Sequence, residues 1–388
     1  DTVCTERCGK PWPRQPSFSL DESPELPILP DDLILDILLR LPVRSLLQFK
    51  CVCKSWKTLI SHPQFAKDHF RTSTANPSMP HQRLVCPTAC HRNILSFSVQ
   101  SLFQNPSNLA KPVFFRMMGD SYTILGSCNG LVCLCDSLHS YVKLWNPSIG
   151  LTSKTMPIGI SHHERITHWG FGYDHVNDKY KFLVGLEGVY DETETVTKIY
   201  TFGSNSCRVI QNFPRHPLRW LGKFVSGTLN WLSMRGDQCM ILSFDLGTET
   251  CGEVLLPDGD QDNICTPMLV VLRDCLCVSF FDLKKVQSVV WLMKEYGVQD
   301  SWTKLTMIPR FVEGDWIWTK LMMLPRYVYG ARYLTLDFLC ISEDGVFMLE
   351  SNRSEVVLFN SNDGRLGCPR ISPKHGMHIY YESLGSPP

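Results

Sequence analysis

Residues 29–42 read LPDDLILDILLRLP. On a wheel of about 100° per residue with Leu33 at zero, Leu33, Ile37, Leu41, Ile34 and Leu38 share an arc of about 140°, and Leu35 and Leu39 fall on the far side. Asp32, Asp36 and Arg40 are left with a polar wedge only about 80° wide. A helix this apolar must be covered on two sides, either inside a large core or between its own module and a partner chain. Pro30 and Asp31 supply a start signal. Pro42 ends the helix, because proline has no N–H for the ladder and disfavours helix in the residue before it.

From Ser45 the helical pattern resumes, with Leu46, Phe49, Cys53, Trp56 and Ile60 spaced by three, four, three and four in a narrow stripe. Lys50, Lys54 and Lys57 occupy the opposite side, Ser45 and Gln48 have capping-box spacing, and Pro63 opens a last short turn toward Phe65 and Phe70. A helical module of about 40 residues is marginal alone, and this one has more apolar surface than it can fold over. A partner helix bundle is the natural remedy; packing against the rest of the chain is the competing one.

After Arg71 the helical period fades. Short apolar stretches then recur between turn signals such as Asn129-Gly130, Asp344-Gly345 and Asp363-Gly364, the mark of strands and hairpins. At about 45 residues per four-stranded blade, residues 72–388 would make six to seven blades of a β-propeller. No clean repeat is visible, and a pair of packed sandwiches is the competing architecture. The expectation is therefore an α+β multidomain chain: a flexible, proline-rich leader over residues 1–26, a small three-helix module over 27–71 and a large all-β domain over 72–388.

Lys plus Arg equals Asp plus Glu at 38 each, which argues against binding nucleic acid or an anionic membrane through the overall field. No run approaches the ~18 uninterrupted apolar residues of a spanning helix. The 17 cysteines are odd in number and accompany no secretory signal, so free thiols in a reducing compartment are expected. Cytoplasm and nucleus both fit, since no strong basic cluster directs import. Cys133 with Cys135, and Cys275 with Cys277, lie two apart in strand-like runs and read as small buried hydrophobes.

The chemical motifs are weak. Asp258, Asp260 and Asp262 imitate the start of a calcium loop, but Asn263 replaces its glycine and Leu269 its bidentate glutamate. His162, His163 and His168 match no common zinc spacing. There is no G-x-S-x-G elbow, phosphate-binding glycine loop or H-E-x-x-H helix, so neither catalysis nor a cofactor or metal is expected. Asn352-Arg353-Ser354 fits the glycosylation acceptor pattern, which is common by chance and accompanies no secretory signal here.

LPDDLILDILLRLPVRSLLQFKCVCKSWKTLISHPQFAKDHF, residues 29–70, resembles a plant F-box almost without interruption. The resemblance implies a three-helix module whose leucine ridge enters the C-terminal helices of a Skp-family adaptor. The matched adaptor-facing positions are Leu29, Pro30, Leu33, Ile37, Leu38, Leu41, Pro42, Leu46, Leu47, Val52 and Trp56. From about residue 120 onward, ILGSCNGLVCL, LWNPSIG, GFGYDHVNDKYKFLVG, FVSGTLNWL, ILSFDLGTETCGEVLLP and LCISEDGVFMLE occur in the order of the plant F-box-associated interaction domain, which is grouped with kelch-like propellers. The implied role is that of a non-catalytic substrate receptor in a ubiquitin ligase, with a Skp adaptor, through it a cullin, and an unidentified protein substrate as partners. An adaptor-bound scaffold that delivers nothing for degradation, and a kelch-like propeller enzyme with a metal centre, are the alternatives.

WTKLTMIPR, residues 302–310, recurs as WTKLMMLPR at 318–326, an offset of 16 that is too short for a blade. It reads as a local duplication adding a hairpin or a bulging loop. Substrate contacts are expected in loops on one face of the β domain, where aromatic and arginine side chains dominate binding energy. The stretch Arg215 to Trp220, with Arg219 and Trp220 foremost, and the pair Trp316 and Trp318 are the candidates.

Overall fold

The computed structural model describes residues 29–75 and 81–388, apart from 89–92, 107–110, 118–120, 162, 190–194, 205, 212, 214–216, 258–266, 283–286, 310–335, 352–354, 370 and 372–375. The helical module holds four helices rather than three: α1 (Asp31–Leu39), α2 (Val43–Phe49), α3 (Lys54–Ser61) and α4 (Pro63–Ala75). Pro63 opens a full helix that continues past Arg71, not a short turn.

The stripe from Leu46 to Ile60 is split between two helices. Cys51 N–H and Val52 N–H bond back three residues to the carbonyls of Gln48 and Phe49, which closes α2. Cys53 then caps α3, its Sγ accepting from Trp56 N–H at 3.5 Å. A three–four spacing survives such a break, because the second helix turns its own apolar face to the same core. Phe49 and Trp56 still meet across it, ring centroids 5.4 Å apart. The capping-box expectation at Ser45 fails: α2 begins at Val43 behind Pro42 with no side-chain cap, so Ser45 lies within the helix.

The β domain is a six-bladed propeller, each blade an antiparallel sheet of four strands with a fifth short strand in one. Blade 1 combines Gln82–Pro87, Asn93–Ser98 and Val113–Arg116 with the last strand of the chain, His378–Tyr381. Blade 2 runs outward from Tyr122–Cys128, blade 3 from Glu164–Asp174, blade 4 from Lys223–Val225, blade 5 from Met268–Leu272 and blade 6 from Leu336–Ile341. These inner strands neighbour one another in turn, and His378–Tyr381 lies between those of blades 6 and 2, closing the ring. Gln82 pairs with Tyr381 and Val85 with His378 in the closing register.

Asn129 and Gly130, with φ of 48° and 78°, make the two-residue turn that NG between strands calls for. Gly130 is also fixed by packing, since a Cβ there would stand 2.3 Å from Ser383 Oγ. Each sheet is covered on both faces by its neighbours, so Leu131–Asp136 is buried at every position. Cys133 and Cys135 lie in one core cluster with Phe171, Phe182 and Phe202, between blades 2 and 3. Cys277 is likewise buried, while Cys275 is half-buried.

The module is anchored to the propeller by the chain's C-terminal segment. Leu384 sits in the module's own core with Leu38, Val43, Leu46, Ile60 and Phe65. Asn146 Nδ2 donates to the carbonyls of Ser383 at 3.0 Å and Gly385 at 2.7 Å, and Phe70 of α4 packs edge-on against Tyr381 at 6.2 Å. The Lys67–Asp178 pair at 2.8 Å joins α4 to blade 3, but both side chains are more than half exposed and such pairs contribute little. Leu384→Ala is expected to cost about 2–4 kcal/mol, felt first at this junction. Amide hydrogen exchange should show faster exchange in α1–α4 with the blades unchanged; unaltered protection in the helices would contradict the anchoring role.

Candidate interaction surfaces

Leu29, Leu33 and Ile37 are spaced by four along α1 and its entry, and each leaves about half its surface in solvent (51%, 49% and 50%). Ile34, Leu35 and Leu39 turn inward against the module's core. The apolar circumference of α1 is thus divided, with one side sealed internally and the other forming an open ridge. Val52, in the α2–α3 turn, is 62% exposed, and Pro30 and Pro42 are exposed at the two ends of α1. Leu41, Leu47 and Trp56 are half-buried.

Two matched positions do not belong to the open surface. Leu38 and Leu46 are 1% and 0% exposed, at the centre of the module's core with Leu384. Leu38 stands at about 140° on the wheel, closer to the inward arc of Ile34 and Leu35 than to Leu33, which is why it turns inside. These two residues support the ridge and present nothing to a partner.

The inner strands of the propeller run in the same direction around the ring. Tyr381, at the end of one, meets Phe70 of α4, and Asp178, in the turn after another, meets Lys67. The module therefore occupies the face where inner strands end. The connections that lead into the inner strands lie on the opposite, distal face.

One such connection carries Leu218, Arg219 and Trp220 into blade 4, all three exposed, with the indole of Trp220 65% open. Its backbone is pinned on both sides. The Trp220 carbonyl accepts from Trp169 N–H at 2.7 Å, Gly222 N–H donates to the Trp169 carbonyl at 2.8 Å, and Leu218 N–H donates to the Leu232 carbonyl at 2.8 Å. The indole rests 6.1 Å from that of Trp169. A fixed backbone bearing an exposed aromatic loses little entropy on contact, the economy seen at binding hot spots. Arg215, His216, Trp316 and Trp318 lie outside the described residues.

The weaker motifs resolve differently. His168 is fully buried, stacked on Phe213 at 4.8 Å and edge-on to Trp231 at 5.7 Å, as a core aromatic. His163 sits at the start of blade 3 with its carbonyl accepting from Val189 N–H. His162, the Asp258–Asp260–Asp262 run, Asn352-Arg353-Ser354 and the second copy of the duplication lie outside the described residues. The first copy forms the outer strand of blade 5, Trp302–Pro309. Among the described residues no group of three or more His, Cys, Asp or Glu side chains is placed to hold a metal ion.

A helical module with an open apolar ridge at one pole is thus fixed to a six-bladed propeller whose far face carries the exposed indole of Trp220. Residues 26–68 match the F-box domain family, and residues 87–368 match the F-box associated beta propeller domain family. The chain belongs to the family of F-box proteins with an F-box associated propeller. It is 31% identical to the F-box/kelch-repeat protein At3g23880 of Arabidopsis thaliana, over 92% of this chain and 96% of that protein. It is 25% identical to F-box protein At3g07870 of the same organism, over 92% and 90% of the two chains, and 27% identical to its F-box protein CPR1, over 73% of each.

Proposed function

We propose that this protein is the substrate-recognition subunit of a Skp–cullin–F-box ubiquitin ligase, docking a Skp-family adaptor through the α1 ridge and a protein substrate through the distal face of the propeller. The observation that carries the reading is the division of α1: Leu29, Leu33 and Ile37 are open on a helix whose other side is already sealed by the chain's own core. Desolvating a half-exposed leucine or isoleucine contributes on the order of 1 kcal/mol, so several together, with Val52, would support a stable heterodimer after the costs of association.

The chain's own contribution is geometric. The adaptor, and through it a cullin, would be held at the pole of the F-box, and the substrate at the opposite pole. The anchoring by Leu384 and Asn146 keeps the two poles at a fixed relation. A substrate lysine is then kept near a ubiquitin-charged conjugating enzyme at high effective concentration, which replaces a rare encounter by a nearly intramolecular one. The bond-making steps belong to the other subunits, in the cytoplasm or the nucleus.

Trp220→Ala tests the substrate pole. Loss of an exposed, backbone-pinned indole is expected to weaken substrate capture by about 10- to 100-fold, the range of a 1.4–2.7 kcal/mol hot spot, with thermal stability and adaptor binding unchanged. Partners enriched by the wild-type protein and lost with Trp220→Ala should also accumulate in cells when residues 27–71 are deleted. Undiminished capture by the variant would remove Trp220 from the substrate surface, and a captured partner whose turnover ignores the deletion would count against the ligase role.

A further inference from the structure

The central channel of the propeller has a volume of about 350 Å³, within the range of small-molecule sites. It is lined by all six inner strands and ends at the F-box, where Phe70 and Thr74 of α4 face it. Leu125, Phe171, Phe224 and Phe338 supply apolar wall, and Lys223 and His378 stand where their strands begin, at the distal end.

Among the described residues Lys223 has no ion pair and no side-chain hydrogen bond. Burial lowers its pKa, and the charges of Asp337 and Glu350 act against that; neither carboxylate lines the channel. Glu350 is itself raised to about 7 by burial, with Asp337 adding to the effect, while the backbone N–H groups of Met377 and Gly376 oppose it. His378 is neutral at pH 7, burial holding its pKa down to about 4 with the Lys223 charge adding and the Ile124 carbonyl opposing. A neutral imidazole carries one acceptor nitrogen. The distal end therefore offers the Lys223 amino group for an oxyanion and one acceptor nitrogen for an O–H or N–H.

We propose that the channel is a binding site for a small organic acid, its carboxylate or phosphate on Lys223, a neighbouring hydroxyl or N–H donating to His378, and its apolar body against Leu125, Phe171 and Phe224. Phe70 and Thr74 of α4 line the same channel at its other end. The inference does not depend on the ubiquitin-ligase reading.

Ligand-detected NMR and calorimetry on the full chain, with 3-hydroxybenzoate and phenyl phosphate as probes, test the site. At least one probe should bind at millimolar concentration or better, and the ratio of the two affinities distinguishes a carboxylate site from a phosphate site. Methyl 3-hydroxybenzoate, the same body without the charge, should bind at least tenfold more weakly. Lys223→Met should weaken the bound probe at least tenfold, whereas Lys57→Met, on the exposed face of α3, should leave it unchanged. Binding of neither probe, equal binding of the neutral ester, or equal binding by Lys223→Met would overturn the assignment. The ester comparison uses wild-type protein and stands whether or not Lys223→Met folds.

Discussion

Ile37→Asp is expected to weaken adaptor binding by about 100-fold or more while leaving the fold intact. Ile37 is half in solvent, so a carboxylate there stays hydrated in the free protein. In the adaptor contact it would be desolvated without a partner, at a cost of ~3 kcal/mol or more, which is two decades in affinity. Leu38→Asp, one residue along, should behave in the opposite sense. Leu38 is 1% exposed beside Leu46, Phe65 and Leu384, and a charge there unfolds the helical module itself. Circular dichroism and interferometry on the two variants separate the outcomes: Ile37→Asp folded and non-binding, Leu38→Asp unfolded in α1–α4. Equal loss of helix in both would mean that Ile37 is part of the core.

Lys181→Met should produce the largest loss of propeller stability. Lys181 lies in blade 3, almost fully buried, and its three N–H donors go to Asp174 at 2.8 Å, Glu249 at 2.8 Å and the Leu246 carbonyl at 2.6 Å. Removing the cation leaves the buried Asp174 carboxylate with only its hydrogen bonds from Val176 and Asn177, for about 3–5 kcal/mol, while Glu249 keeps its pair with Arg208. The loss should depend on pH. Burial by itself raises the pKa of Asp174, but hydrogen bonds from Lys181 and Asn177 outweigh it and hold the group at about 2, against an ordinary 3.8. A depressed carboxylate stabilises the fold fully above its unfolded value, and that stabilisation is lost as pH falls from 3.8 through 2. The gap between wild type and Lys181→Met in urea unfolding should therefore be widest near pH 7 and shrink below pH ~4. A gap independent of pH would show that Lys181 acts through packing alone.

The helical module was largely legible in the sequence because a doubly apolar helix between two prolines has few ways to be covered. What the wheel could not give was which side faces inward. Ile37 and Leu38 both fall in the apolar arc, and the core that Leu38 enters is completed by Leu384, a residue far away in sequence. The break between α2 and α3 was also hidden, since Leu46, Phe49, Trp56 and Ile60 keep helical spacing through it. In the propeller the turn dipeptides were readable, as at Asn129-Gly130, but no repeat was. Strands covered on both faces, such as Leu131–Asp136, lose the alternation that marks a strand with one solvated face, and each blade fills its flanks with different side chains. The exposure of Trp220 rests on backbone bonds to Trp169 in the neighbouring blade, for which no local pattern exists. The same holds for Lys223 and His378, which strands of blades 4 and 1 bring to one end of the channel.

The most direct measurement is size-exclusion chromatography of the wild-type chain mixed with a recombinant Skp-family adaptor at micromolar concentration. A single 1:1 peak, lost on Ile37→Asp with the propeller still folded, is the predicted result. Separate elution of a folded wild-type chain and the adaptor would contradict the proposed role, leaving the ridge of Leu29, Leu33 and Ile37 without the partner assigned to it.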